Sequence, residues 1–284
     1  MSNRPSIYRK VTVITKDGFR ADIRLACVSI DFFQDVMSPA LTAKITVANS
    51  MSTIQDDQGA TVSLYEGLKL RGGEAVQIEI EANTGDNEPI SFSNPPLFVS
   101  GVSDLSRKAL KQFFTINLYS KEAYDNESKF LEKAYPKEAK ISDHVEDIFN
   151  ESFPGGTLNK VDPTSNTYGF LGNQMKPFFA LIRLASKSVP EGAGTGGNSG
   201  TAGFFFYQTM TGFNFRSIDK LMGEESKAQY TYTEVSSSEE TGDFKPTPEL
   251  KSNNYKIEKF HVSKNQNLMK NLSEGVYSTS KKFF

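Results

Sequence analysis

The side chains best suited to nucleophilic catalysis or metal binding are scarce: two histidines and one cysteine in 284 residues. His144 stands three residues before Asp147 in ISDHVEDIFNE. On a helix that spacing puts an imidazole and a carboxylate on one face, as two ligands of a metal ion would need. No third ligand follows at metal-ligand spacing, and His261 belongs to a different segment, so the pair reads as an exposed polar helix face. Asp143, Glu146, Asp147 and Glu151 could serve as paired general acid and base. Acids in the first turns of a helix are explained more simply by capping and by the helix dipole. Cys27 as a nucleophile needs a nearby base and an electropositive setting. In the apolar run ADIRLACVSI it reads instead as a small buried hydrophobe. No set of nucleophile, base and orienter can be assembled, so the chain is read as a non-enzyme with no catalytic, cofactor-binding or metal-binding residues.

Two further segments invite a chemical reading. Glycine loops cradle phosphates when they follow a strand, open a helix and carry a Gly-Lys-Ser/Thr sequence. The glycine-rich stretch over 191–203 follows a helix and precedes a strand, without that signature, and reads as a mobile surface loop or as a segment that orders against a neighbouring subunit. Arg107, Lys108 and Lys111 in SRKALKQ form a small basic patch, read as a solvated loop. Lys and Arg total 32 against 34 Asp and Glu, a formal charge of −2, so there is no broad basic surface for a phosphate backbone. The first residues lack the apolar core of a signal peptide, and no apolar stretch is long enough for a membrane helix. The expectation is a protein made in the cytoplasm and not inserted in a membrane.

The elements that position these side chains are mostly strands. From Ile7 to about Ser120, short alternating runs are separated by turn residues, the pattern of antiparallel strands in a small barrel or sandwich. In AVQIEIEA, Val76, Ile78 and Ile80 make an apolar face, while Gln77, Glu79 and Glu81 make a polar one. YRKVTVIT, ending at the turn Lys16-Asp17-Gly18, DIRLACVSIDFF, LTAKITVA, PLFVSGVSD and FFTINLYS read likewise, with a turn from Gly85. In DIRLACVSIDFF the apolar phase slips by one residue, which predicts a β-bulge near Cys27. After Ser120 the period becomes helical. Val145, Ile148 and Phe149 stand behind the capping pair Asp143 and Glu146, and a second helix from Pro177 to about Ser188 carries a stripe of Phe178, Leu181, Ile182 and Ala185. GFFFYQTMTGFNFRSIDKL then predicts an aromatic hairpin, Phe204–Gln208 and Phe213–Ile218, whose Phe204, Phe206, Phe213 and Phe215 mark core packing or an inter-domain or subunit seam. QYTYTEV is expected to continue that sheet, 236–248 to be an exposed connector, and NYKIEKFHV to be a strand before a short helix with Leu268, Met269 and Leu272.

The order of these features is similar to that of one family. A β-rich unit ending in LFVSGVSD and FFTINLYSKEAYDNE, then ISDHVEDIFNE, QMKPFFALIRLASKSVP and the aromatic hairpin, resembles the central baseplate hub protein of contractile-tailed, T-even-like phages and, more distantly, the base of the type VI secretion spike. The resemblance spans most of residues 20–275 and is most specific from Gln174 to Leu221. It implies an α+β, mainly β chain with two tube-like antiparallel β-barrel domains, 1–120 and 121–284, and short helices. It also implies a homotrimeric ring of pseudo-sixfold shape in the virion tail baseplate, assembled in the host cytoplasm. Expected partners are the central spike protein, the tail tube or tube-initiator proteins and the baseplate wedge proteins, with DNA passing through unbound. In such a ring Gln77, Glu79 and Glu81 are expected on the lumen or its rim. A hexameric tube-initiator ring is the alternative.

Overall fold

A computed structural model describes residues 7–50, 54–55, 61–81, 89–108, 111–192 and 203–226, and beyond these 231–232, 256–257, 261 and 268–273. The turn expected from Gly85, most of the glycine-rich loop and the connector over 236–248 lie outside the described residues. The chain divides into a larger unit, Met1–Asp219, and a smaller one, Lys220–Phe284. It is mainly β with a few short helices.

The larger unit begins with β1 (Ile7–Ile14), β2 (Arg20–Asp22), a 3-10 turn (Arg24–Ala26), β3 (Cys27–Phe33) and β4 (Thr42–Ser50). The short pair β5 (Ile54–Gln55) and β6 (Thr61–Val62) leads to α1 (Leu64–Leu68), then to β7 (Ala75–Glu81), the long β8 (Ile90–Lys108) and β9 (Lys111–Tyr119). Seven of these strands form one sheet in the order β2-β1-β7-β8-β9-β4-β3. Every neighbouring pair in it is antiparallel. β8 joins its two halves by pairing with β7 over its first part and with β9 over the rest. Val11, Val13, Ile45, Val47, Val76, Ile78, Val99, Phe114 and Ile116 are the buried faces of these strands and make the first core. Their strict alternation along the chain is why the strands were legible.

Three expectations change here. DIRLACVSIDFF is not one strand: the 3-10 turn interrupts it, and the predicted bulge follows as a register shift between Cys27 and Ser29. The interruption buries Ile23 and throws Leu25 fully into solvent. The basic patch Arg107, Lys108 and Lys111 sits on the β8–β9 hairpin rather than in a loop, with Arg107 bonded to Glu66 at 3.0 Å. Finally, no sheet among the described residues closes into a barrel: β2 and β3 are the open edges of the large sheet, linked by the 3-10 turn that packs on both β1 and β4.

The chain continues through α2 (Lys121–Ser128), β10 (Ala134–Tyr135), α3 (Ile141–Ser152), β11 (Leu158–Val161), β12 (Phe170–Leu171), α4 (Pro177–Lys187), β13 (Phe204–Thr209) and β14 (Gly212–Ser217). These elements gather a second core around Val145, Ile148, Phe149, Leu181 and Phe215. α3 starts at Lys140 without a side-chain cap, so Asp143 and Glu146 do not cap it; Thr164 Oγ1 accepts the N–H of Ser142 instead, at 3.1 Å. α4 has Pro177 in its first turn as predicted, and Asn126 Oδ1 accepts the N–H of Phe178 at 2.8 Å. Its buried stripe is Phe178, Leu181, Leu184 and Ala185, while Ile182 and Phe179 face solvent. The hairpin β13–β14 forms as expected, turning through Met210 and Thr211. Its third strand is β11, parallel to β14, not QYTYTEV. In the smaller unit, β15 (Thr231–Tyr232) pairs in parallel with β16 (Lys256–Ile257). α5 (Ile218–Met222) precedes this pair in sequence and α6 (Leu268–Ser273) follows it.

Candidate interaction surfaces

The residues singled out for chemistry are not brought together. His144 is buried on α3, and its Nε2–H is shared between the carbonyl oxygens of Pro136 and Tyr168 at 3.0 and 2.9 Å. The expected exposed polar face is therefore wrong for His144 but right for Asp147, which accepts from Lys133 at 3.2 Å on the outer side. Glu151 shares the same ammonium at 2.6 Å. His261 is exposed. Cys27 is half-buried, and burial pushes its thiol up to about 11, the reverse of what a nucleophile requires. Among the described residues no three His, Cys, Asp or Glu side chains are grouped to hold a metal, and no helix is long and apolar enough to cross a membrane.

The polar face of β7 is a paired surface rather than a bare acidic one. Register with β1 slips between Tyr8 and Lys10, which leaves Arg9 as an extra residue. Arg9 is thereby bonded to Glu81, and Lys10 lies 3.9 Å from Glu79. Glu79 also accepts from Ser93 Oγ at 2.5 Å, and Gln77 Nε2 donates to the Ser93 carbonyl at 3.1 Å. Two cations thus match two anions across β1 and β7, and the half-exposed strip carries little net charge. Spacing along β7 alone identified the acids; the compensating bases come from a strand some seventy residues away.

Phe204, Phe206, Phe213 and Phe215 are all inside the second core. Phe204 stacks on Phe215 at 4.8 Å between ring centroids, and Phe206 on Phe213 at 5.5 Å. α3 and α4 close over them through Phe149, 5.0 Å from Phe213, and Phe178, 5.9 Å from Phe206. Their partners within this chain are these rings.

Polar residues at the rim of that core belong to no sequence motif. Gln208 is buried, accepts the N–H of Leu41 at 2.9 Å and donates to Glu122 Oε2 at 3.2 Å. Asp162 Oδ2 accepts from Arg216 Nε at 3.1 Å and from the Ser217 N–H at 2.9 Å, an ion pair almost without solvent. A signal for Gln208 did exist. It follows Phe204 and Phe206 at a spacing of two, so it had to point inward with them.

The edge strand β3 and the segments flanking it carry a cluster of exposed apolar side chains. Leu25 is 105% exposed and Val28 60%, with Phe33 and Met37 also largely in solvent. On its other side β3 pairs with β4 on both sides of the bulge at Val28. A strand edge that no described residue pairs, beside a cluster of exposed apolar groups, is a place where another chain can add.

No protein-family model matches this sequence, and no curated protein does. Solved structures similar to it include phage tail proteins and type VI secretion proteins. A 43 kDa tail protein of prophage MuSo2 from Shewanella oneidensis aligns at 8% identity and a TM-score of 0.46, over 73% of this chain and 54% of that one. A tail protein from Neisseria meningitidis MC58 aligns at 10% identity and a TM-score of 0.45, over 80% of this chain and 56% of that one. An E. coli component of the type VI secretion system, described as structurally similar to T4 bacteriophage tail proteins gp27 and gp5, aligns at 12% identity and a TM-score of 0.39, over 75% and 48%. The chain spans about half the length of these structures.

Proposed function

We propose that this chain is a structural subunit of a phage tail baseplate, the central hub of a contractile tail, which joins the tail tube to the central spike and lines part of the DNA conduit. The observation that carries the reading is the open edge of the seven-stranded sheet, where β3 presents Val28 and Phe33, and the 3-10 turn before it Leu25, to solvent. In a lone molecule such an edge is a liability; in a closed ring the next subunit covers it. Two tube-like barrel domains per subunit, 1–120 and 121–284, would then complete their walls by sharing edges in a homotrimer, in contact with spike, tube and wedge proteins in the virion. The order of elements fits: a large sheet, two amphipathic helices and an aromatic hairpin. The charge-matched strip of Gln77, Glu79 and Glu81 with Arg9 and Lys10 is suited to a conduit wall, because a surface of little net charge neither grips nor repels a passing polyanion strongly.

The deciding measurement is mass in solution by light scattering, over a concentration series, with and without the candidate spike protein. A trimer, or a 3:3 complex with the spike, is the expected result. A hexamer would move the chain to a tube-initiator ring, and a monomer indifferent to the spike would sink the assembly reading. Replacing Leu25 and Val28 together by Asp is expected to leave the circular dichroism unchanged and to abolish the oligomer.

A further inference from the structure

Gln208 and Glu122 open onto a cleft that the assembly reading does not use. It lies where the β8 segment Asn94-Pro95-Pro96, the start of α2 and the turn of the β13–β14 hairpin converge, and encloses about 180 Å³. A second hollow of about 190 Å³ shares Asn94, Lys121 and Glu122 with it and extends toward Pro154. Both belong to the larger unit.

The charge within this cleft does not balance. Lys121 is taken by Asp125 one turn along α2, at 2.6 Å. Glu122 is only 7% exposed, and among the described residues its one hydrogen bond comes from the neutral amide of Gln208. A carboxylate can accept about four hydrogen bonds, and a buried one costs several kcal/mol unless it is compensated. Beside it Ser120, 4% exposed, lines the same cleft, and its buried Oγ has no hydrogen-bond partner among the described residues, although Ser120 is the N-cap of α2. A carboxylate with spare acceptor capacity and a buried hydroxyl thus belong to residues that line one cleft, and a hydrogen-bond donor carrying positive charge would serve both.

We propose that this cleft is a binding site for an organic cation, a guanidinium or primary ammonium group, held by the Glu122 carboxylate and Ser120 Oγ with Gln208 fixing the carboxylate from behind. A guanidinium suits it best, because a planar donor fork can bond the carboxylate and the hydroxyl together. The cation can come from a basic side chain of a neighbouring protein or from a free small amine. The proposal stands on the cleft itself and holds whatever ring the chain enters.

Isothermal titration of the full chain with two probes tests it: agmatine, and the capped tripeptide acetyl-Gly-Arg-Gly-amide. Binding of either to the wild-type chain is expected, with at least tenfold weaker affinity in Glu122→Gln and about threefold weaker in Ser120→Ala. Glu146→Gln, on the exposed face of α3, should bind as wild type. Tighter binding of the tripeptide assigns the cation to a protein side chain; equal or tighter binding of agmatine assigns it to a free amine. If neither probe binds, or if wild type, Glu122→Gln and Ser120→Ala bind alike, the site does not exist. Should Glu122→Gln fail to fold, Ser120→Ala against wild type decides alone, and unchanged affinity there overturns the proposal.

Discussion

Gln208 Oε1 accepts the backbone N–H of Leu41 at 2.9 Å, across 167 residues of sequence. Leu41 belongs to the first hydrophobic core and stands one residue before β4, while Gln208 is on β13 beside Phe206 of the second. The same amide donates to Glu122, so one side chain ties the sheet, the hairpin and the start of α2. Gln208→Ala would leave the Leu41 N–H and the Glu122 carboxylate buried without this partner. At about 1–3 kcal/mol for each buried group left unpaired, the variant should lose roughly 2–4 kcal/mol in urea unfolding. It should also lose hydrogen-exchange protection at Leu41. Unchanged protection there would mean that the bond contributes nothing.

Asp162 and Arg216 present a second buried dependence. Their side chains are 12% and 9% exposed, and Asp162 also holds the Ser217 N–H. Removing one member of such a pair strands the other charge, at a cost of about 3–5 kcal/mol, whereas an apolar replacement of both is often nearly neutral. Asp162→Leu and Arg216→Met should each lower the melting temperature sharply, and the double variant should recover much of the loss. Additive losses would show that the two residues act separately.

How much of this was legible follows from where each signal resides. Strands with one buried face announce themselves by alternation, so β1, β4, β7 and the β13–β14 hairpin could be read from the chain alone. β11 could not. Leu-Asn-Lys-Val is short and half polar, and it becomes a strand because β14 offers it a partner 50-odd residues downstream. Arg9 and Lys10 as partners of the β7 acids depend on a register slip no local pattern encodes. The burial of His144 depends on carbonyls from two loops closing on its ring, where helix periodicity alone suggested solvent. Gln208 is the instructive case: the sequence reading places it only as the last residue of the strand Phe204–Gln208, yet its phase with Phe204 and Phe206 points it inward.

Gly212 closes the hairpin with a φ of +132°, and a Cβ there would stand 2.6 Å from the Thr157 carbonyl oxygen. Neither the backbone angle nor the carbonyl can yield easily, since the N–H of Phe213 donates to that same oxygen at 2.8 Å. Gly212→Ala should therefore destabilise by about 2–4 kcal/mol through strain and the pushing apart of β11 and β14. Chemical denaturation measures it, and a loss under about 0.5 kcal/mol would contradict the close approach.

Cys27 supplies a test of the packing against the first core. Burial raises its thiol to about 11, so the folded protein disfavours the thiolate relative to the unfolded chain, where an ordinary cysteine titrates near 8.5. The sign follows directly: this stabilisation is whole below the unfolded value and is lost as pH rises toward 11, because only the unfolded chain ionises freely in that interval. Stability should accordingly fall between about pH 8.5 and 11, and less so in Cys27→Ala. At pH 8 the thiolate fraction is roughly two-hundredfold below that of an unperturbed cysteine, so iodoacetamide should modify the native chain about that much more slowly than the urea-unfolded one. Equal rates would place the thiol in open solvent and contradict the packing of Cys27 against the first core.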